Sequence, residues 1–395
     1  MARSAGEGAP RQRHGAAAHR RDPLAFLTAE FDEAHDVWRS ASGRLCVAGP
    51  AAAREVLGNR RGTFVETSDF FHTRNGVFGP RSAQIDIGRA ARALIRGHLD
   101  ARRADLPRLV RERLAPVGNW PDAGNLLVHE HLREVLLCPD APAELRETID
   151  GIITRAVLAG ARGRHSALSR LVFRRRAMGT LVREIEARRN TGVGVGVGES
   201  RDLLDVTVTG AGRSADPGEV AEVYLSFLFA TVGSVGFALG WSVLLAGTHP
   251  DTWGEEPGWI VREALRLWPV AWLFTRTPGV EHDLAGVTAG PRDAVDVCLY
   301  LVHRHPRHWE HPEEFVPRRW AGAVPDPAFM PFGVGPHTCA GASVTMTLLE
   351  DLIRIITRDW RLSVTEGGDG PHLGPALAPP QFTAELVGRV APERR

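Results

Sequence analysis

The sequence predicts a mainly α fold with small β-sheets, on three observations. Apolar residues recur at helical spacing over about 105–116, 142–160 and 164–189, and from Gln84 the pattern is helical and rich in Arg and Ala. β-like segments are few and short, at Arg44 to Val47, Phe64 to Glu66, Trp272–Arg276 and Ala294–Leu299. Near the end, the run Phe332-Gly333-Val334-Gly335-Pro336-His337-Thr338-Cys339-Ala340-Gly341 leads into a helix marked by Val344, Leu348, Leu349, Leu352, Ile355 and Ile356.

Taken in order, the first 22 residues are rich in Arg, Ala and Gly, lack a signal-peptide core and read as a disordered tail. Order is expected from Pro23. Residues 23–395 contain nothing like an interdomain linker, so one domain is expected there. Asn190 to Ser200 (NTGVGVGVGES) reads as a glycine–valine surface loop, because it lacks the Gly-Lys-Ser/Thr ending of a phosphate loop. A long helix begins near Asp216. Asp216 suits the cap, Pro217 the first turn, and Glu219 can close a capping box. It runs to about Ala246, before His249-Pro250, and a shorter helix carries Glu263 and Arg266.

With 395 residues, 43% hydrophobic and 24% charged, the chain can bury a large core. A formal net charge of +1 gives no argument for nucleic acid. All 48 basic residues other than histidine are arginine, a bias that fits a GC-rich, actinobacterial type of genome rather than a function. Cys46, Cys138, Cys298 and Cys339 show no framework spacing, which fits a reducing cytosol and a cytoplasmic location. No run of about 18 apolar residues is apparent, so no membrane span is expected.

Cys339 is the most informative residue. A sulfur at a helix N-terminus meets unpaired backbone N–H groups and the positive end of the helix dipole, which favour the thiolate. The glycines let the backbone pass close to something flat and bulky. An isolated cysteine is usually a buried core residue, but these flanks argue otherwise. The pattern F-x-x-G-x-x-x-C-x-G, carried by Phe332, Gly335, Cys339 and Gly341, resembles the heme-ligand loop of the cytochrome P-450 family. The resemblance covers about Pro23 to the C-terminus. It implies the cytochrome P-450 fold, with heme b (iron protoporphyrin IX) between a long distal helix and the cysteine-bearing helix, and Cys339 as the axial ligand of the iron.

The same resemblance assigns further residues. Glu263-Ala264-Leu265-Arg266 matches an E-x-x-R motif, and Phe315-Val316-Pro317-Arg318-Arg319-Trp320 resembles F-x-P-x-R-F. Glu263, Arg266 and Arg319 are then a buried structural triad, since buried charge is tolerated only when paired. Phe332, Gly333 and Gly341 shape the cofactor loop. Arg92, Arg276 and His337 are the candidates for the heme propionates, arginine being suited to bind a carboxylate at two points. Arg92 stands where the family has the arginine of H-x-x-x-R, and Gly88 replaces its histidine. His303, His305, His308 and His311 lie within nine residues; a solvated loop is expected there rather than a metal site, because the spacing matches no familiar ligand pattern.

On the distal side the equivalent run is Ala230-Thr231-Val232-Gly233-Ser234-Val235. Many family members carry an acid followed by threonine here, which help deliver protons during dioxygen activation. In this chain Ser234 keeps the hydroxyl and Gly233 replaces the acid, so the candidate catalytic residues are Ser234, Gly233 and Ala230. Phe70, Phe71, Phe78, Phe227, Val270, Trp272 and Phe274 are expected to line the pocket for a terpenoid, an aromatic compound or a small cyclic peptide. The implied activity is dioxygen-dependent oxidation, chiefly hydroxylation, of a natural-product scaffold. Ferredoxin and ferredoxin reductase are the expected electron donors, with no nucleic acid and no membrane as partners. Oxidative coupling without oxygen insertion, and a degenerate helper protein, remain as alternatives.

Overall fold

The computed structural model describes residues 17, 19, 21–158, 166–191, 200–322, 326–368 and 370–388. Most of the predicted tail and of the Asn190–Ser200 loop lies outside the described residues. Helices dominate and the sheets are small. The chain divides into two compact units interleaved in sequence: Met1–Thr67, Arg262–Cys339 and Leu373–Leu377 form one, and Ser68–Val261, Ala340–His372 and Ala378–Arg395 the other.

The first unit is built on a four-stranded sheet. Strands Val37–Arg39, Leu45–Val47, Val295–Cys298 and Leu273–Arg276 lie side by side in that order. Leu45–Val47 pairs in parallel with Val295–Cys298, and the other pairings are antiparallel. Leu45, Val47, Val295 and Val297 are fully buried and pack with Ala53, Val56 and Leu57 of the helix Pro50–Gly58. The predicted strand at Phe64 to Glu66 reduces to one bridge, Phe64 with Pro278.

Glu263 and Arg266, on the helix Pro257–Leu267, are fully buried, and every donor of Arg266 is used. Its Nε and Nη2 donate to Glu263, Nη1 to the carbonyls of His303 and Pro312, and Nη2 also to that of Glu314. Glu263 Oε1 also accepts from Arg319 Nε at 2.8 Å and Val316 N–H at 3.0 Å. Trp320, aromatic like the residue expected there, adds an indole donor to Glu263 Oε2 at 2.9 Å. A buried ion pair is tolerable in this form because every lone pair and proton is satisfied.

The histidine cluster is not a solvated loop throughout, which corrects the sequence reading. His303 and His305 are fully buried, while His311 is largely exposed. Among the described residues no group of three or more His, Cys, Asp or Glu could hold a metal ion. His303 Nε2 accepts the Met330 N–H at 3.0 Å, which puts its proton on Nδ1. The His303 carbonyl is held by Arg266 and its ring holds the segment that leads into the cysteine run. Burial, then the Arg266 and Arg304 charges, push its pKa down to about 3. The unfolded chain binds this proton near pH 6.5 and the folded protein does not, so folding should weaken as pH falls from about 6.5 towards about 3. Denaturant titrations of wild type and His303→Gln between pH 7 and 4 should diverge by up to about 1.4 kcal/mol per pH unit. Parallel curves would show that His303 does not couple protonation to folding.

The second unit is organised on the helix Pro217–Thr248. The Asp216 side chain accepts from the Glu219 N–H as expected. The capping box is only half made, because the Glu219 carboxylate accepts from Thr73 Oγ1 at 2.7 Å. The helix is long and apolar enough to cross a membrane, which corrects the expectation that no such run exists; 78% of its apolar window is buried inside the protein. It packs on the helix Asp122–Leu136 at glycines. A Cβ on Gly124 would lie 3.2 Å from the Gly236 carbonyl oxygen, and one on Gly236 would lie 2.7 Å from Asn125 Cα. Strands Trp360–Glu366, Phe382–Gly388 and Val117–Trp120 form an antiparallel sheet in that order.

Candidate active site

In the first unit the cysteine run closes into a tight loop. The Cys339 N–H donates to the Phe332 carbonyl at 2.9 Å, and the Gly333 N–H to the Met330 carbonyl at 3.0 Å. Gly333 and Gly335 both have φ of 71°, in the left-handed region that favours glycine. A Cβ on Gly335 would stand 2.8 Å from Gly58 Cα, so the loop also needs glycine for its close approach to another backbone. Gly341 is the N-cap of the helix Ala342–Asp359, which places Cys339 two residues before the cap. Among the described cysteines Cys339 is the exposed one; Cys46, Cys138 and Cys298 are buried. Burial pushes the Cys138 and Cys298 thiols up to about 12, so they stay protonated and inert.

The predicted propionate partners differ in their surroundings. Arg92, in the second unit, is half-buried on the helix Arg81–Arg102 and has no hydrogen-bond or ion-pair partner among the described residues. One turn earlier, a Cβ on Gly88 would lie 3.3 Å from Ala340 Cβ. Glycine at this position lets the helix pass against the residue that follows Cys339, where a histidine would press on it. In the first unit Arg276 is 5% exposed, donates to the Thr275 carbonyl at 2.9 Å and lies 5.6 Å over the Phe274 ring. His337 Nε2 is 2.7 Å from Glu66 Oε1, so this imidazole has a carboxylate partner within the protein.

In the long helix, Phe229–Ser234 winds as a π-helical turn. Such turns are rare and occur often at functional sites. Ser226, Thr231, Ser242 and Thr248 each donate to the carbonyl four residues back. Ser234, half-buried, makes no such bond, and its hydroxyl has no partner among the described residues. Gly233 is buried and Ala230 half-buried. Phe229, which the sequence reading did not single out, is 43% exposed within this otherwise apolar helix.

The predicted pocket residues fall into both units. In the second, Phe70 contacts Phe71 and Phe227 edge-on, with ring centroids 4.9 Å and 4.7 Å apart, and Phe78 is buried. In the first, Val270 and Trp272 are buried and Phe274 is half-buried. The Trp272 indole donates to the Gly374 carbonyl at 3.0 Å.

This mostly helical architecture, with a glycine-bent cysteine loop feeding a long helix, has the fold of bacterial cytochrome P-450 structures. The sequence model of the cytochrome P-450 family matches residues 258–379. Cyclooctat-9-en-7-ol 5-monooxygenase of Streptomyces melanosporofaciens is 27% identical over 248 residues, covering 55% of this chain and 52% of that protein. Pentalenene oxygenase of Streptomyces avermitilis is 28% identical over 200 residues, covering 42% and 44%. The matches thus span about half the length of these curated relatives. The crystal structure of CYP175A1 from Thermus thermophillus superposes with a TM-score of 0.71 at 22% identity, covering 94% of this chain and 96% of that one. Residues 258–379 thus match the cytochrome P-450 family, and the chain shares the fold of a solved member of it.

Taken one by one, the residues suit a heme. A soft, exposed cysteine sulfur at a helix start is a suitable thiolate donor. The half-buried Arg92 lacks a carboxylate partner among the described residues, which suits an anionic group.

Proposed function

We propose that this chain is a heme-thiolate oxidoreductase that uses dioxygen to oxidise, chiefly by hydroxylation, a small hydrophobic natural-product scaffold. The Cys339 loop carries the reading. The names of two relatives, an oxygenase and a monooxygenase, support oxygen insertion and favour a terpenoid-like substrate over an aromatic one. Bound heme b would supply the redox-active iron at which dioxygen is activated. The Cys339 thiolate would hold it, with Phe332, Gly333 and Gly341 shaping the loop. Arg92 and Arg276 would neutralise its propionates, and His337 would do so in competition with Glu66.

The chain's own chemistry is then positioning and proton movement. Ser234, with Ala230 and Gly233 leaving room beside it, would pass protons from water to the reacting oxygen. Phe70, Phe71, Phe78, Phe227, Val270, Trp272 and Phe274 would exclude bulk water and orient an apolar substrate. The reading takes residues 23–395 as one working domain. It places the protein in the cytoplasm, with ferredoxin and ferredoxin reductase as electron donors.

A second reading, oxidative coupling without oxygen insertion, is favoured by Gly233, which leaves the distal turn without its carboxylate. Turnover under labelled dioxygen separates the two. Label should enter the product, and Ser234→Ala should divert most reducing equivalents to peroxide. Product without label would replace hydroxylation by coupling. Labelled product with undiminished yield per electron in the variant would remove Ser234 from the relay.

A further inference from the structure

We propose that Asn125 is a positioning residue that holds the π-helical turn Phe229–Ser234 open and so sets the Ser234 hydroxyl for proton transfer. The proposal rests on the oxidative reading above. A widened turn disturbs the usual pairing of its backbone carbonyls; here the Val232 carbonyl accepts the Val235 N–H and can take a second donor on its other lone pair. Asn125 Nδ2 donates to the Val232 carbonyl at 2.7 Å and to the Gly233 carbonyl at 3.1 Å. One side-chain amide thus serves two carbonyls of the same turn, immediately before Ser234.

Three further observations say that this contact is built rather than incidental. Asn125 is 0% exposed, and its Oδ1 is buried with no partner among the described residues. A leucine would fill the same space without desolvating a polar group, so packing alone does not explain the amide. Access for the amide requires glycine opposite, since a Cβ on Gly236 would stand 2.7 Å from Asn125 Cα and from Cγ. Finally, Ser234 is the serine or threonine of this helix whose hydroxyl is not bonded back to its own backbone. Its direction is therefore set by the shape of the turn, which the Asn125 amide supports.

Two variants remove the clamp: Asn125→Leu deletes the donor, and Gly236→Ala displaces it while also pressing on the Asn125 Cα, so that it should lower the thermal midpoint as well. Hydrogen exchange of the holoenzyme should show the amides of 230–237 opening about tenfold faster in Asn125→Leu, the factor expected for one lost hydrogen bond of ordinary strength. In Asn125→Leu, thermal midpoint and heme content should stay near those of wild type. Product formed per electron should fall severalfold, and the solvent isotope effect on coupling should change, which loss of packing alone would not do. Unchanged exchange in Asn125→Leu overturns the clamp. Faster exchange with unchanged coupling and isotope effect overturns the positioning role. A wild type lacking the thiolate-type carbon monoxide spectrum overturns the proposed function and with it the proton-transfer role, while the exchange measurement still decides whether Asn125 holds the turn.

Discussion

Glu263→Ala should yield little soluble protein, and what is recovered should hold little heme. The carboxylate receives Arg266 through both oxygens, together with Arg319, Trp320 and the Val316 N–H, in a fully buried position. Its removal leaves the Arg266 charge buried with two donors unpaired. Breaking one partner of a buried pair costs about 3–5 kcal/mol, a large part of the stability of a typical domain. Arg266 also grips the His303 carbonyl, and His303 grips Met330, so the loss should reach the segment before Cys339. Denaturation midpoints and heme-to-protein ratios of purified variants test this together. A variant that folds with wild-type stability and full heme content, and is merely slow, would contradict a structural role.

Cys339→Ser should abolish the red-shifted Soret band of the reduced carbon monoxide complex and reduce turnover to background. The hydroxyl is a harder and far less acidic ligand, so the electron donation that a thiolate would give the iron should be lost. Serine differs from cysteine by one atom, and the loop bonds from Phe332 and Met330 involve only backbone, so the fold should survive. Circular dichroism and thermal melts should therefore match wild type while the spectrum changes. Retention of the thiolate-type band in the variant would remove Cys339 from the axial position.

Much of the frame was legible because its causes are local. Asp216 caps the long helix through the N–H of Glu219, three residues away, and the glycines of the cysteine loop announce the backbone angles they adopt. The shared face of Glu263 and Arg266 follows from helical spacing alone. Glu219 misled the reading because Thr73, 146 residues distant, supplies a better donor than the helix's own N-terminus. The histidines misled it likewise, since polarity suggested solvent where Met330 supplies His303 with a buried partner.

The helix Asp122–Leu136 was not predicted at all, and with it went the clamp on the distal turn. Its only trace in the sequence is the unusual set Gly233, Gly236 and Gly240, which says that something approaches closely without saying what. By itself the sequence determined the helical class, the cysteine loop and the triad and singled out the Ser234 hydroxyl, each through residues within a turn or two or through a recognisable motif. Only the tertiary structure decided how that hydroxyl is presented. A π-helical turn disturbs the pairing of its carbonyls, and here Asn125, 107 residues away from Val232, adds a donor to that of the Val235 N–H, brought into place by the packing of two helices on glycine.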